Sequence, residues 1–266
     1  VCNLKCRTCW HGASSSWFKD AQILKSNFGD KAIIKATTNN NRLIDQLFDL
    51  NSSFDEVYFA GGEPLMMEEH YDFLDKLILY NQVDSHLRYN TNLSNLSLKG
   101  KNVIDYWKQF NNVTLSVSID ALDKKAEYIR SGLDWSLLIA NLESIKDNCP
   151  HVKIEIAPTV SLLSILTLGE LHRYFVENNH ITIDNIYLNI LDRPNYFNCK
   201  IASKELKEII QQKLSNHILW LQENGADEHV INEFKSVIEY MILSADEHEI
   251  KSFSKQIKKL DQIRDE

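Results

Sequence analysis

Cys2, Cys6 and Cys9 form a C-x3-C-x2-C run at the very start of the chain, V-C-N-L-K-C-R-T-C, a spacing that lets three thiolates surround one inorganic centre. Three is the informative number. A 4Fe–4S cube needs a ligand on each of its irons, so a three-cysteine cradle leaves one iron open to hold something else. A second chemistry fits the same loop: with His11 the cysteines make a Cys3His set, the composition of a closed structural zinc site.

The elements that must position this loop are read from composition and rhythm. With 266 residues, 44% hydrophobic and 25% charged, the chain can build one large core, and a single α/β barrel suits that length better than two small domains. A formal charge of −8 argues against an extended nucleic-acid footprint, which needs a basic face. No apolar run is long enough to span a membrane, and no secretory signal opens the chain. Five cysteines, three of them in the first nine residues, point to metal ligation in a reducing cytoplasm and not to a disulfide framework. The chain opens on Val1 directly at the first cysteine, so a strand ahead of it is expected.

Small polar residues around Ser14 to Ser16 read as a helix start, and residues 26 to 41 as an irregular stretch. Leu43, Leu47 and Leu50 fall on one helical face. From Asp55 the pattern becomes regular: D-E-V-Y-F-A, H-L-R-Y-N-T-N, V-T-L-S-V-S-I-D, V-K-I-E-I-A-P-T-V and I-D-N-I-Y-L-N-I-L read as strands with helices between them. Five strands without hairpin turns indicate parallel β/α units, and a preceding sixth would make an open, partial (β/α)6 barrel. Beyond Asn198 the pattern is helical, with Ser203 as N-cap, an inward stripe of Leu206, Ile209, Ile210, Leu214, Ile218 and Leu221, and Gly225 as the stop. Two further helices are expected over 227–244 and 246–264. The expected division is residues 1–200 as the barrel and 201–266 as a helical extension.

In parallel β/α architectures ligands sit at the carboxyl ends of the strands, where Gly61, Gly62, Glu63 and Pro64 lie. The glycines admit a ligand close to backbone; alone, G-G-E-P is also a turn before a helix. Together with the cysteine run it resembles the radical S-adenosylmethionine (SAM) superfamily. The resemblance implies that Cys2, Cys6 and Cys9 hold a 4Fe–4S cluster, that SAM chelates the open iron, and that Gly61 to Pro64 hold the methionine amino group. S-I-D-A at Ser118 to Ala121 and Y-I-R-S-G around Arg130 are similar to elements of the branch that often carries SPASM or twitch extensions. By that likeness Ser118 meets the ribose or carboxylate of SAM, and Arg130 pairs with the carboxylate, a geometry suited to a guanidinium. The plainer readings are a strand-end hydroxyl and a surface arginine. Asn92 ends a strand within reach of SAM or substrate, Leu191 offers backbone to the adenine edge, and Trp10 covers either the adenine or the cluster. Arg193, Tyr196 and Asn198 border the open mouth.

The match extends from Cys2 to about Pro194, and it departs from the family at three points: Thr8 replaces an aromatic, Ala121 replaces a glycine, and no glycine marks the strand from Val152 to Val160. Cys149 and Cys199 read as buried small hydrophobes. The implied activity is reductive cleavage of SAM to methionine and a 5′-deoxyadenosyl radical that takes hydrogen from a substrate. The implied partners are a one-electron reductant such as flavodoxin or ferredoxin and a peptide or protein substrate. A nucleotide or small-molecule substrate, and a non-catalytic zinc- or cluster-stabilised binding module, are the alternatives.

Overall fold

A computed structural model of the chain describes residues 1–26, 29–33, 40–49, 53–244 and 249–266. Much of the expected irregular stretch, and Leu50, lie outside the described residues. In chain order the elements are β1 (Lys5–Cys6), α1 (Phe18–Ile23), α2 (Asn40–Asp49), β2 (Glu56–Phe59), α3 (Glu68–Leu79) and β3 (His86–Thr91). There follow β4 (Ser97–Leu98), β5 (Lys101–Asn102), α4 (Val103–Trp107), β6 (Val113–Val117), α5 (Asp123–Ile129), β7 (Arg130–Ser131) and α6 (Trp135–Asn148). The remainder comprises β8 (Lys153–Ile156), β9 (Thr159–Val160), α7 (Leu168–Glu177), β10 (Asn189–Ile190), α8 (Lys204–Glu223), α9 (Glu228–Ile242) and α10 (Glu249–Arg264). Among the described residues no helix is long and apolar enough to cross a membrane.

Two compact units emerge. The first comprises residues 1–5, 9–117 and 132–154, and is built on the parallel strands β2, β3 and β6, followed in the sheet order by β8, whose Lys153 and Ile154 belong to it. Val57 pairs with Leu87, Phe59 with Tyr89, and Tyr89 with Leu115, so alternate residues of each strand share one apolar face. That face buries Leu87, Tyr89 and Leu115, and the unit's helices contribute Leu74, Leu77, Trp107, Leu138 and Leu142 to its core. The opposite face presents Glu56, Tyr58, Arg88 and Asn90 to solvent, unusual for a parallel sheet, which is normally covered on both sides. Asn102 and Asp134 start α4 and α6 by accepting from the Ile104 and Leu137 amides.

On α2 the buried positions are Ile44 and Phe48, whereas Leu43 and Leu47 are exposed, which corrects the leucine face expected from spacing. Phe48 wins because it meets Phe54, Phe73 and Tyr80 at ring separations of 5.2–5.3 Å. The helical run expected from Asp123 to Lys146 is broken at 130–134, where Gly132 adopts φ +97° and β7 is inserted.

The second unit comprises residues 6–8, 118–131 and 155–266. The strand expected over Ile183 to Leu191 is regular only at Asn189–Ile190, paired in parallel with Thr159–Val160. Tyr187, Asn189 and Leu191 donate in turn to the carbonyls of Ile156, Pro158 and Val160, but Pro158 has no N–H to return a bond, so the ladder is one-sided there. Ser203 caps α8 by accepting from the Leu206 amide. Ile210, Leu214, Ile218 and Leu221 are buried as the period requires, while Ile209 is exposed.

His172 and His217 meet inside this unit at 3.0 Å, packed by Trp220 and Phe234. Burial lowers the His172 pKa to about 4 and that of His217 to about 3. Both rings are neutral in the folded state where the unfolded chain already takes up protons. Their contribution is therefore complete above pH 6.5 and is lost as the pH falls towards 3–4. Denaturant titrations from pH 7 to 4 should show stability falling by up to about 1.4 kcal/mol per pH unit per histidine, and His217→Gln should flatten that slope.

Candidate cofactor site

The cysteine loop is held by its own neighbours. In the first unit Ser15 and Ser16 donate to the Cys2 carbonyl, at 3.0 and 2.8 Å, Ser14 donates to the Leu4 carbonyl at 2.6 Å, and the Cys2 amide donates back to Ser15 Oγ. The S-S-S run, read from sequence as a helix start, does open a 3-10 turn over Ser15–Trp17 that runs into α1, and its hydroxyls also fix the loop. Asn92, buried just beyond β3, directs Nδ2 at Cys2 Sγ, 3.8 Å away, and at Asn3 Oδ1, 3.1 Å away.

Glu63 ties the G-G-E-P segment to the same strand end. Its carboxylate accepts from the Leu65 amide, the Thr91 hydroxyl and the Asn92 amide at 3.2, 2.7 and 2.7 Å. The side chain of Glu63 is thereby engaged inside the protein, and the segment's ligand-binding capacity rests on its backbone. Gly61 has φ +104°, which favours glycine. Gly62 has no room for a side chain, because a Cβ there would meet the Val1 carbonyl, which accepts from the Glu63 amide at 2.7 Å. Pro64 is buried at the start of a 3-10 turn. Trp10 is exposed and lies against Gly12, where a Cβ would strike its ring.

In the second unit Cys6 Sγ receives Arg130 Nη1 at 3.7 Å, and Arg130 Nη2 donates to Asp120 Oδ1 at 2.8 Å. Asp120 also accepts from the Thr159 amide at 2.8 Å. Burial opposes the charge on Arg130, but Asp120 and Cys6 outweigh it and raise its pKa. The surface arginine of the plainer reading is therefore excluded: Arg130 is buried with a carboxylate. Ser118 lies half-buried directly after β6, and Leu191, also half-buried, uses its amide on Val160. Asp120, unassigned in sequence, is the residue that orients Arg130; its place inside S-I-D-A was the available signal. Cys149 and Cys199 are buried, and burial pushes the Cys199 thiol up to about 11, so neither is primed as a ligand.

The donor set fits an iron–sulfur group. Cys2, Cys6 and Cys9 are in no disulfide, and two of their sulfurs face N–H donors, the contacts that stabilise thiolates bound to iron. Arg130 Nε and Asp120 Oδ2 are buried without a hydrogen-bond partner among the described residues, which leaves polar capacity beside that sulfur. No three His, Cys, Asp or Glu side chains among the described residues are gathered as for a single metal ion.

The sequence pattern of the radical SAM superfamily matches residues 1–159. The chain belongs to the radical SAM superfamily. That family is one of enzymes, and its cofactors are a 4Fe–4S cluster and SAM. No protein of curated function matches the chain by sequence. Among solved structures, native anSMEcpe with bound AdoMet is similar over 85% of this chain and 59% of its own, with a TM-score of 0.56 and 17% identity. Native anSMEcpe with bound AdoMet and Cp18Cys peptide is similar over 84% and 57%, with a TM-score of 0.54 and 17% identity. At that identity the likeness speaks to the fold, a mixed α/β body with a parallel sheet consistent with a partial barrel. The chain covers 59% and 57% of the length of these two proteins.

Proposed function

We propose that the chain cleaves SAM reductively and uses the resulting radical on a peptide or protein substrate, as a member of the SPASM/twitch-related branch. The observation that carries this is the facing of Cys2 and Cys6 by the Asn92 and Arg130 donors, in a chain whose family match spans the cysteine run and G-G-E-P. Cys2, Cys6 and Cys9 would hold the cluster, which when bound would supply the one-electron reduction of SAM, the chemistry that yields methionine and a 5′-deoxyadenosyl radical able to take a hydrogen atom from the substrate. The electron comes from a one-electron donor such as flavodoxin or ferredoxin.

The remaining work falls to the chain. Gly61 to Pro64 offer backbone carbonyls to the methionine ammonium. Arg130 keeps Asp120 and Cys6 through its two Nη atoms and turns Nε–H, buried and without a partner among the described residues, to the carboxylate. Ser118 bonds the ribose or carboxylate, Leu191 the adenine edge, and Trp10 shields the bound nucleoside or the cluster. In this reading residues 1–200 are the catalytic body and 201–266 a helical extension. A peptide suits the open sheet face, where Tyr58, Arg88 and Asn90 are exposed and present hydrogen-bonding groups on adjacent strands. Native anSMEcpe with a bound peptide shares the fold.

Anaerobic reconstitution should give about four irons per chain, and dithionite with SAM should then release 5′-deoxyadenosine. Cys6→Ala should lower that release to background. A colourless protein holding one zinc and no SAM would overturn the reading.

A further inference from the structure

Arg7 lies between two of the loop cysteines in sequence, yet its side chain is fully buried. A buried guanidinium requires partners, and these come from the far end of the chain. Nη2 pairs with Asp261 Oδ1 at 2.7 Å and with Glu266 Oε2 at 2.5 Å. The guanidinium lies over the Tyr128 ring, 3.6 Å from its centroid, and Nε donates to the Tyr128 carbonyl at 2.9 Å. Each acid also grips a second group: Tyr128 donates to Asp261 at 3.1 Å, and Ser131 donates to Glu266 at 2.7 Å. The Arg7 amide donates to the Ile129 carbonyl at 2.8 Å, so backbone and side chain are held together.

We propose that Asp261 on α10 and Glu266, just beyond that helix, form a clamp that positions the cluster loop by fixing Arg7. Surface carboxylates on a terminal helix ordinarily contribute little. These two neutralise a buried charge one residue from a cluster ligand, so releasing them frees the backbone on which Cys6 is set. Tyr128 and Ser131 flank Ile129 and Arg130, so the same clamp also holds the segment that carries the Cys6 donor. The helical extension thereby gains a task beyond packing: it closes the loop that the cluster occupies.

The inference rests on the proposed cluster, and its test is arranged so that the two can fail separately. Removing only the acids strands a buried charge and risks unfolding, so the informative variant neutralises all three groups: Arg7→Met with Asp261→Asn and Glu266→Gln. Denaturant titration should show a cooperatively folded protein. Hydrogen exchange of the metal-free protein should be markedly faster across residues 5–9 and unchanged in β3. In the reconstituted protein, iron loss to a chelator should be about 10- to 100-fold faster than in the parent, the range expected when support behind a ligand is removed. Asp261→Glu, which keeps the charge, should stay near the parent rate. Parental exchange in residues 5–9, or a parental rate of iron loss, would overturn the clamp. A parent that takes up no iron would overturn the cluster assignment, leaving the exchange result to decide the clamp.

Discussion

Arg130→Gln is expected to cost about 3–5 kcal/mol of stability, the penalty for leaving one member of a buried ion pair without its partner. Asp120 and Arg130 are both buried, and once the guanidinium is gone Asp120 retains, among the described residues, only the Thr159 amide. Asp120→Asn should cost a comparable amount from the other side. Replacing both at once, as Arg130→Met with Asp120→Leu, should recover much of the loss, because the burial penalty of the charges disappears with them. Lys124 and Glu127 provide the contrast: the lysine is largely exposed, and breaking that pair should cost less than about 0.5 kcal/mol. Urea titration at constant slope measures all four. The double replacement also separates stability from chemistry, since it restores the fold while removing the donor to Cys6. In the reconstituted double variant the cluster should reduce at a more negative potential, because the N–H···S contact from Arg130 is lost while the opposite charges of Arg130 and Asp120 leave together. A parental midpoint in Arg130→Gln would show that water, and not the protein, solvates Asp120.

What could be read from the sequence was local. The cysteine run, the G-G-E-P segment and the strands around Val57, Leu87 and Leu115 depend on spacing and alternation within a few residues, and the structure keeps them. Partner choice was not local. Spacing fits both Leu43/Leu47 and Ile44/Phe48 on α2, and only the ring cluster of Phe54, Phe73 and Tyr80 selects the second. A lone X-Arg-X between cysteines gives no hint that its charge is answered 254 residues later by Asp261. Asp120 was visible as a letter in S-I-D-A, but its role needed the pairing with Arg130 ten residues on, which the letters do not show. The strand before Leu191 was overread because a proline on the facing segment, and not anything in the strand itself, interrupts the ladder.

Glu63→Gln should be the second severe change, although it removes no volume. The carboxylate is an acceptor on both oxygens: Oε1 serves the Leu65 amide and the Thr91 hydroxyl, and Oε2 serves the Asn92 amide. A glutamine offers one oxygen and one NH2. Placing the NH2 towards Asn92 sets donor against donor, and the reverse orientation does the same to Leu65. Thr91 cannot absorb the conflict freely, since its hydroxyl oxygen already accepts from the Leu93 amide at 2.9 Å. Either way a buried N–H loses its acceptor, at about 1–3 kcal/mol, with a further loss because the remaining bonds are no longer assisted by charge. The displaced amide is that of Asn92, whose side chain donates to Cys2, and the displaced loop is the one bearing Gly61 and Gly62. Stability and SAM binding should therefore fall together: a loss of about 2–3 kcal/mol in urea titration, and SAM affinity for the reconstituted protein weaker by about tenfold or more. Asn90→Ala, on the exposed face of the same strand, should stay within about 0.5 kcal/mol of the parent. If Glu63→Gln unfolded at the parental midpoint and bound SAM normally, the carboxylate would not be what joins the diglycine segment to the end of β3.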